Sequence, residues 1–290
     1  MTRIAYLGPE GTVTHEATGY LFSSDCFEMV PFKMISDVCD ATEAGDTDIS
    51  VIPIENTIDG SVNPHIDYWL HAVDLPIQAE WTYPSIQNLI GISGNGPVGD
   101  LSHIRNVISI PVAIAQCQHF LKDKLPNVEI THVTSTAEGV RLVKERGDDS
   151  CAAIGTSLAA GIYGLDLLAE NITDHHNNYT RFIAVGRKAI ELPATNVCKT
   201  TILVTLPEDY PGALHQVLSA FAWRKINMSK IESRPTKKNL GSYYFYIDIE
   251  GSLNSVLLPA AIQEIEAIGC QVRILGSYPC YSYQIENSEV

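Results

Sequence analysis

The sequence is poor in positive charge. It has 19 Lys and Arg residues against 34 Asp and Glu, which gives a formal net charge of −15 over 290 residues. Proteins that bind nucleic acids or anionic membranes present clusters of Lys and Arg, so the composition argues against both kinds of partner. Between Ile4 and Ile104 the only Lys or Arg is Lys33. An anionic ligand of this region must therefore rely on backbone N–H groups, hydroxyls and a few cations from later in the chain.

Closely spaced cysteine pairs and long apolar runs are also missing, and no signal peptide is expected from the first residues. The seven cysteines include no C-x-x-C pair, which argues against a disulfide framework or a zinc site and favours free thiols in a reducing cytosol. The adjacent His175 and His176 lack a second ligand at metal-binding spacing. No apolar run approaches the roughly 20 residues of a membrane-spanning helix. The N-terminus reaches Gly8-Pro9 without the apolar core of a signal peptide. We expect a cytoplasmic protein with no membrane partner and no metal.

The residues that are present predict two domains. An apolar content of 45% supplies a core, and at roughly 150 residues per domain the length favours two. Alternating strands and helices over 1–185 predict mainly parallel α/β sheets. The segment 186–199 has the composition of a linker. Residues 200–290 then follow the order β-α-β-β-α-β, which is the ferredoxin-like arrangement.

Helix signals in the first domain allow three local predictions. Ser61 is expected to cap a helix that contains Ile66, Trp69 and Leu70 at helical spacing. Ser135 with Glu138 has the form of a capping box. A single helix is expected over 113–125.

Three polar loops follow or precede predicted strands. Gly8-Pro9-Glu10-Gly11-Thr12 lies between a strand and a helix, and it is either an anion site or a tight turn without a ligand. Residues 53–61 form a second such loop, which is either part of a binding site or ordinary capping and turn chemistry. Residues 177–182 contain Arg181, either a ligand-binding cation or a surface one. The glycine pattern is neither G-x-G-x-x-G nor a P-loop, so a nucleotide is not expected.

Together these motifs resemble the prephenate dehydratase family. The resemblance rests on the runs at 8–12, 52–57 and 179–182 and on Ala115-Gln116-Cys117. In the C-terminal part, Gly212-Ala213-Leu214-His215 and Glu232-Ser233-Arg234-Pro235 are similar to the paired motifs of a phenylalanine-sensing ACT domain, and the run at 275–279 is also in place. The motifs occur in the family's order over nearly the whole chain.

The resemblance implies a fold and a reaction. The fold is a catalytic domain of two α/β subdomains, like a type 2 periplasmic binding protein, with crossings near residues 80 and 178, followed by a ferredoxin-like ACT domain. The reaction converts prephenate to phenylpyruvate with loss of CO2 and water in phenylalanine biosynthesis. It changes no oxidation state that would require a nicotinamide, so no cofactor is expected. The chain opens directly on the dehydratase strand and therefore resembles a monofunctional enzyme.

The resemblance also implies site residues. Thr180 is the candidate hydrogen-bond donor to the departing hydroxyl, and Asn56 and Gln116 are its catalytic companions, suited to orienting the substrate. Arg181 would face a substrate carboxylate. Glu55 would be a better proton donor than Thr180 if burial raised the pKa of its carboxyl enough to keep it protonated. The full substrate-binding set is Thr12, Glu55, Thr57, Arg181 and Phe182.

Regulation and assembly follow from the same resemblance. Phenylalanine would bind at the two C-terminal motifs, through Gly212, Ala213, Leu214, His215, Glu232, Ser233, Arg234 and Pro235. ACT domains generally pair, so a homodimer or a dimer of dimers is expected.

One departure and two alternatives remain. The family commonly has Ser-His-Pro where this chain has Ser109-Ile110-Pro111, which puts a direct catalytic role of that histidine in doubt. Arogenate, which carries an amino group on the side chain, is the alternative substrate. A non-catalytic amino-acid sensor is the alternative function, and the intact Thr180, Asn56 and Gln116 argue against it.

Overall fold

The computed structural model describes residues 1–94, 99–208, 210–237 and 243–283, and they form two compact units. The N-terminal unit contains Met1–Val73 and Thr82–Phe182. The C-terminal unit contains Asp74–Trp81 and the described residues from Ile183 onward. The end of the predicted second domain, 284–290, lies outside the described residues. Where the structure describes the chain, no helix is both long and apolar enough to cross a membrane.

The N-terminal unit begins with a parallel sheet. Strand β1 pairs in parallel with β2 and with β3, and the short β4 pairs with β3 in the antiparallel direction. The first six residues of β3 are buried, as expected for a strand covered on both faces. The elements are β1 (Thr2–Leu7), α1 (Val13–Leu21), β2 (Phe27–Phe32), α2 (Ile35–Ala44), β3 (Ile49–Asn56), β4 (Gly60–Ser61) and α3 (Asn63–Ala72).

A second sheet completes this unit. After β5 (Ile77–Pro84), the chain forms β6 (Asn88–Gly91), β7 (Asn106–Ser109), α4 (Pro111–Ala115), α5 (Gln118–Lys124), β8 (Glu129–His132), α6 (Thr136–Arg146), β9 (Cys151–Gly155), α7 (Ser157–Tyr163) and β10 (Asp166–Ala169). The strand order is β10-β6-β9-β7-β8. Strand β11 (Tyr179–Val185) then lies beside β3 of the first sheet. The expected pair of α/β subdomains is therefore confirmed.

The C-terminal unit has the expected β-α-β-β-α-β order. Its elements are β12 (Cys198–Thr205), α8 (Ala213–Ala222), β13 (Met228–Pro235), β14 (Tyr243–Glu250), α9 (Leu257–Ala267) and β15 (Gln271–Ser282). The strands are arranged β13-β14-β12-β15 with antiparallel pairing. Val217 and Phe221 of α8 pack with Ile202 and Ile247 of the sheet in the core. The ferredoxin-like prediction is confirmed.

A buried ion pair attaches residues 74–81 to the rest of the C-terminal unit, which the sequence did not indicate. The Glu80 side chain is 4% exposed, and its Oε1 lies 2.6 Å from Lys199 Nζ. The Tyr278 hydroxyl donates to Glu80 Oε2 at 3.3 Å and lies 2.6 Å from Thr201 Oγ1. Because a buried carboxylate needs such partners, the segment is held by this network.

Two of the local helix predictions need correction. Ser61 lies in β4 and does not cap α3; Val62 occupies the cap position without a side-chain hydrogen bond, and Pro64 is the second residue of the helix. The expected helix over 113–125 is two helices, α4 and α5, with Cys117 at the break in a conformation (φ −124°, ψ 22°) that is neither helical nor extended. The Ser135 cap is confirmed, since its Oγ accepts from Glu138 N at 3.1 Å.

Candidate active site

A cavity of about 460 Å³ lies in the N-terminal unit. Residues from both sheets form its walls. Its polar lining consists of Thr12, Thr14, Asn56, Asp59, Ser85, Gln87, Gln116, Thr134, Ser135, Thr136 and Thr180, and its apolar lining includes Leu7, Val13, Pro53, Val62, Ile110, Val112, Ala113 and Phe182. None of the described lining residues is Lys or Arg. The side-chain hydrogen-bond donors of the described lining are therefore neutral hydroxyls and amides, set among apolar side chains.

Thr180 is held by two side chains in the wall of this cavity. Asn56 Nδ2 donates to Thr180 Oγ1 at 3.0 Å, and Ser85 Oγ lies 2.7 Å from the same oxygen. When Ser85 acts as the donor, Thr180 receives two hydrogen bonds and keeps its own O–H for a third partner. In that arrangement Thr180 presents a hydroxyl donor at the cavity wall.

The turn after β3 fixes the orientation of Asn56. Its Oδ1 accepts from the backbone N–H groups of Ile58 at 2.9 Å and of Asp59 at 3.1 Å. Asn56 Nδ2 also donates to Asn178 Oδ1 at 2.8 Å. Because the oxygen is occupied by the turn, the amide NH2 must face Thr180 and Asn178.

A second amide chain connects the two sheets across the cavity. Asn178 Nδ2 donates to Gln116 Oε1 at 3.0 Å, and Gln116 Nε2 donates to Asp59 Oδ2 at 3.0 Å. Gln116 lies at the end of α4, whereas Asp59 follows β3. The structure thus brings Asn56, Gln116 and Thr180 into one hydrogen-bonded set.

Two helices begin at the cavity. Thr12 caps α1, its Oγ1 accepting from His15 N at 3.3 Å, and Ser135 caps α6. Both caps line the cavity. A helix N-terminus carries partial positive charge and unpaired N–H groups, so these two ends favour anionic groups in a site without cationic lining.

The loop before α1 is held against α7. Thr156 Oγ1 donates to the Gly11 carbonyl at 2.8 Å, and a Cβ on Gly11 would lie 2.9 Å from Ala159 Cβ. Gly11 has a φ of +84°, which glycine adopts without strain. His15 Nδ1 accepts from Gly11 N at 3.0 Å. Burial lowers the pKa of His15, against the opposing effect of the Glu10 carboxylate, so the neutral ring is favoured.

Arg181 and Glu55 lie on neighbouring strands and pair with each other. Arg181 Nη1 is 3.2 Å from Glu55 Oε2, with the Arg181 side chain 9% exposed. The cavity is formed by other side chains. Thr57 joins the same two segments, because its Oγ1 donates to the Asn177 carbonyl at 2.8 Å and accepts from Tyr179 N at 2.9 Å. Of the five substrate-binding candidates, Thr12 and Phe182 line the cavity.

Several residues of the cavity wall were not predicted. Ser85 and Gln87 come from the segment between β5 and β6, and Thr134 precedes the Ser135 cap, whereas Asp59 belongs to the 53–61 loop that was a candidate binding loop. A chain crossing between the subdomains was expected near residue 80. Because such crossings pass the cleft, that expectation could have indicated Ser85 and Gln87 as lining residues. Ile110, at the position that breaks the family pattern, lies in the wall as an apolar side chain.

The described residues contain no group of three or more His, Cys, Asp or Glu side chains that could hold a metal ion.

In the C-terminal unit, Gly212 precedes α8 with a φ of +97°, and Glu232, Ser233, Arg234 and Pro235 end β13. Arg234 Nη1 donates to Glu232 Oε1 at 2.6 Å. The two expected effector motifs thus lie on separate elements of this unit.

Known proteins similar to this chain share both of its parts. The family model for prephenate dehydratase matches residues 4–190, and the model for the ACT domain matches residues 200–269. Prephenate dehydratase of Bacillus subtilis (strain 168) is 39% identical over 285 residues, covering 96% of this chain and 99% of that protein.

Solved structures agree with this likeness. Prephenate dehydratase from Arthrobacter aurescens in complex with L-Phe is 34% identical, with a TM-score of 0.84 over 96% of this chain and 90% of that chain. GqqA, described as a novel type of quorum quenching acylase, is 27% identical, with a TM-score of 0.82 over 96% of this chain and 98% of its own.

Proposed function

The chain belongs to the prephenate dehydratase family and carries an ACT domain, and we propose how its cavity converts prephenate to phenylpyruvate. The reaction is a decarboxylating dehydration in phenylalanine biosynthesis. The observation that supports the proposed mechanism best is the Thr180 hydroxyl, which accepts from Asn56 and lies beside Ser85 in the cavity wall.

The substrate is a dianion, and the proposed binding mode relies on helix ends. Prephenate has a ring carboxylate and a pyruvyl carboxylate, and the cavity is lined by the caps of α1 and α6. We assign one carboxylate to each helix N-terminus, Thr12 at the first and Ser135 at the second. Backbone N–H groups bind carboxylates well in a site that excludes water.

The ring hydroxyl leaves from the ring carbon that lies across from the carbon carrying the carboxylate. The C–O bond breaks as the bond to the ring carboxylate breaks, the electron pair of that bond completes the aromatic ring, and CO2 departs. The leaving hydroxide takes a proton and becomes water. Thr180 protonates the departing oxygen, the hydrogen bonds from Asn56 and Ser85 stabilise the negative charge that this transfer leaves on Thr180, and Thr180 regains a proton from solvent once the products have left.

The remaining candidates position this donor. Gln116 and Asn178 link Asn56 to Asp59 across the cavity, so they fix the amide that serves Thr180. The pair of Arg181 with Glu55 joins the strands that carry Thr180 and Asn56. We therefore assign Arg181, Glu55 and Thr57 to positioning, whereas Phe182 contributes apolar wall against the substrate ring.

Phenylalanine is the proposed regulator. The similar protein from Arthrobacter aurescens is described in complex with L-Phe, and this chain carries the two motifs at the start of α8 and the end of β13. We propose that phenylalanine binds there and inhibits the reaction. A cytoplasmic homodimer or dimer of dimers is the proposed assembly, to be measured by light scattering.

The test is an ultraviolet assay for phenylpyruvate with purified protein and prephenate. Turnover is the expected result, and kcat/KM for prephenate above that for arogenate identifies the preferred substrate. Binding of phenylalanine without turnover of either compound would contradict the proposal and favour an amino-acid sensor. An assay for acylase activity accompanies these measurements because of the likeness to GqqA.

A further inference from the structure

Gln87 carries a buried side-chain acceptor without a partner. It lies in the turn between β5 and β6, it is 4% exposed, and it lines the cavity. Its Oε1 has no hydrogen-bond partner among the described residues. A buried amide oxygen without a partner costs free energy, so such an atom in a binding site indicates a donor that the ligand supplies.

The polar groups on either side of Gln87 are already satisfied. Ser85 Oγ lies 2.7 Å from Thr180 Oγ1, and Asn88 Oδ1 accepts from Asn171 N at 2.9 Å. The backbone carbonyl of Gln87 accepts from Ile172 N at 2.9 Å. Of the groups named here, only the Gln87 side-chain oxygen lacks a partner among the described residues, and Ser85, two residues earlier, is hydrogen-bonded to Thr180.

The substrate offers few donors to such an acceptor. The two carboxylates and the keto group of prephenate only accept hydrogen bonds, and its ring hydroxyl is the single donor. On the basis of the proposed function, we propose that Gln87 Oε1 accepts a hydrogen bond from the ring hydroxyl of the bound substrate. Through this contact Gln87 distinguishes a ligand that carries the ring hydroxyl from one that lacks it.

The contact with Gln87 complements the hydrogen bond that the Thr180 O–H donates to the same substrate hydroxyl. A hydroxyl that donates to Gln87 has its lone pairs free for the Thr180 O–H. The contact therefore turns the oxygen so that Thr180 can protonate it as the C–O bond breaks. Once protonated, the departing water still has a hydrogen to donate to Gln87, so the contact persists through the step.

The test compares two ligands that cannot aromatise. One is the saturated-ring analogue of prephenate, which keeps both carboxylates and the ring hydroxyl, and the other is its deoxy counterpart. Titration calorimetry gives their dissociation constants for the wild type and for Gln87→Met, which removes the acceptor at similar volume. The matched control is Gln78→Met, since the Gln78 amide donates to the Gly186 carbonyl in the C-terminal unit.

The wild type and Gln78→Met should bind the hydroxyl analogue roughly tenfold more tightly than the deoxy analogue. Gln87→Met should bind both equally, with unchanged affinity for the deoxy analogue and a lower kcat/KM for prephenate. If Gln87→Met does not fold, Gln87→Asn, whose amide is one methylene shorter, should show the same loss of preference.

Two failures are distinguishable. A wild type that does not turn over prephenate contradicts the proposed function. A wild type that is active, with a Gln87 variant that keeps the preference for the hydroxyl or loses affinity for both analogues equally, overturns the role of Gln87. Equal loss would indicate that the amide donates its N–H to a carboxylate or only supports the wall.

Discussion

The side-chain oxygens of Ser85 and Thr180 lie 2.7 Å apart although 95 positions separate them in the chain. Ser85 follows the end of β5, and Thr180 is the second residue of β11. Asn56, at the end of β3, donates to the same Thr180 oxygen. Three separate segments therefore converge on one hydroxyl, and this convergence leads to the first prediction.

Replacing Thr180 by Val should lower kcat by about 100- to 1000-fold, the usual effect of losing one preorganised donor to a transition state. KM should change little, because the hydroxyl acts mainly on the departing oxygen. Steady-state kinetics with prephenate measures both constants. Thr180→Ser should retain much of the activity, since it keeps the hydroxyl.

Ser85→Ala should lower kcat by a smaller factor than Thr180→Val, since Asn56 still donates to Thr180. The double variant should be no worse than Thr180→Val alone, because Ser85 acts through that hydroxyl. A Thr180→Val enzyme with a normal kcat, or fully multiplicative effects of the two changes, would contradict this arrangement.

Arg181 and Glu55 provide the second prediction. Arg181→Met should lower the free energy of unfolding by about 1–2 kcal/mol, a value reduced because Glu55 is partly exposed. The combined Arg181→Met and Glu55→Gln variant should lose less than the sum of the two single changes. Urea denaturation measures these values, and KM for prephenate should stay within a factor of about three.

The opposite outcome is equally clear for Arg181. A tenfold or larger rise in KM with unchanged stability would show that Arg181 contacts a substrate carboxylate, as the family resemblance implies. Arg181→Lys separates the two cases further, because Lys cannot reproduce a planar guanidinium contact.

The sequence predicted the elements of this fold better than the contacts between them. Strand–helix alternation and the β-α-β-β-α-β order follow from local apolar periods, and both were confirmed. Ser61 misled because a capping residue type also occurs in short hairpin strands such as β4. The attachment of residues 74–81 to the C-terminal unit depends on Glu80 meeting Lys199 and Tyr278. Contacts between residues so far apart in the chain leave no local pattern in the sequence.

The site was predictable only in part, for a similar reason. Thr180, Asn56 and Gln116 were candidates because the motifs resemble a known family, and the structure brings them together. Whether Arg181 faces the substrate or Glu55 depends on which side of β11 it occupies, and that depends on strand register. Gln87 could not be singled out, because burial without a partner is a property of the folded chain.

The third prediction concerns acid sensitivity and His15. Burial lowers the pKa of His15 below its ordinary value of 6.5, so the unfolded chain takes up this proton at higher pH than the folded chain. The stability that depends on neutral His15 is therefore present above about pH 6.5 and is lost as pH falls. The midpoint of thermal unfolding should drop between about pH 7.5 and about pH 5.5.

His15→Asn isolates this effect. The Asn oxygen can accept from Gly11 N as the histidine Nδ1 does, but it does not titrate. The variant should show a smaller drop in unfolding temperature over the same pH range, whereas the exposed His132→Asn should behave as the wild type. Burial also lowers the pKa of His65, so part of the drop should remain. An identical drop in all three proteins would exclude His15 as a cause.

The fourth prediction tests where phenylalanine acts. Gly212 has a φ of +97°, so Gly212→Val strains the backbone at the start of α8, where one effector motif lies. Gly269 has a φ of +95° in the same unit but lies outside both motifs, so Gly269→Val is the matched control for strain alone.

Inhibition requires phenylalanine to bind a low-activity state more tightly, with a coupling of roughly 1–3 kcal/mol. Gly212→Val and Ser233→Leu should therefore raise the phenylalanine concentration for half-inhibition by about tenfold or more, with nearly unchanged kcat in its absence. Gly269→Val should remain inhibited as the wild type is. If Gly212→Val and Ser233→Leu stay fully sensitive, phenylalanine acts elsewhere, and inhibition competitive with prephenate would place it in the catalytic cavity.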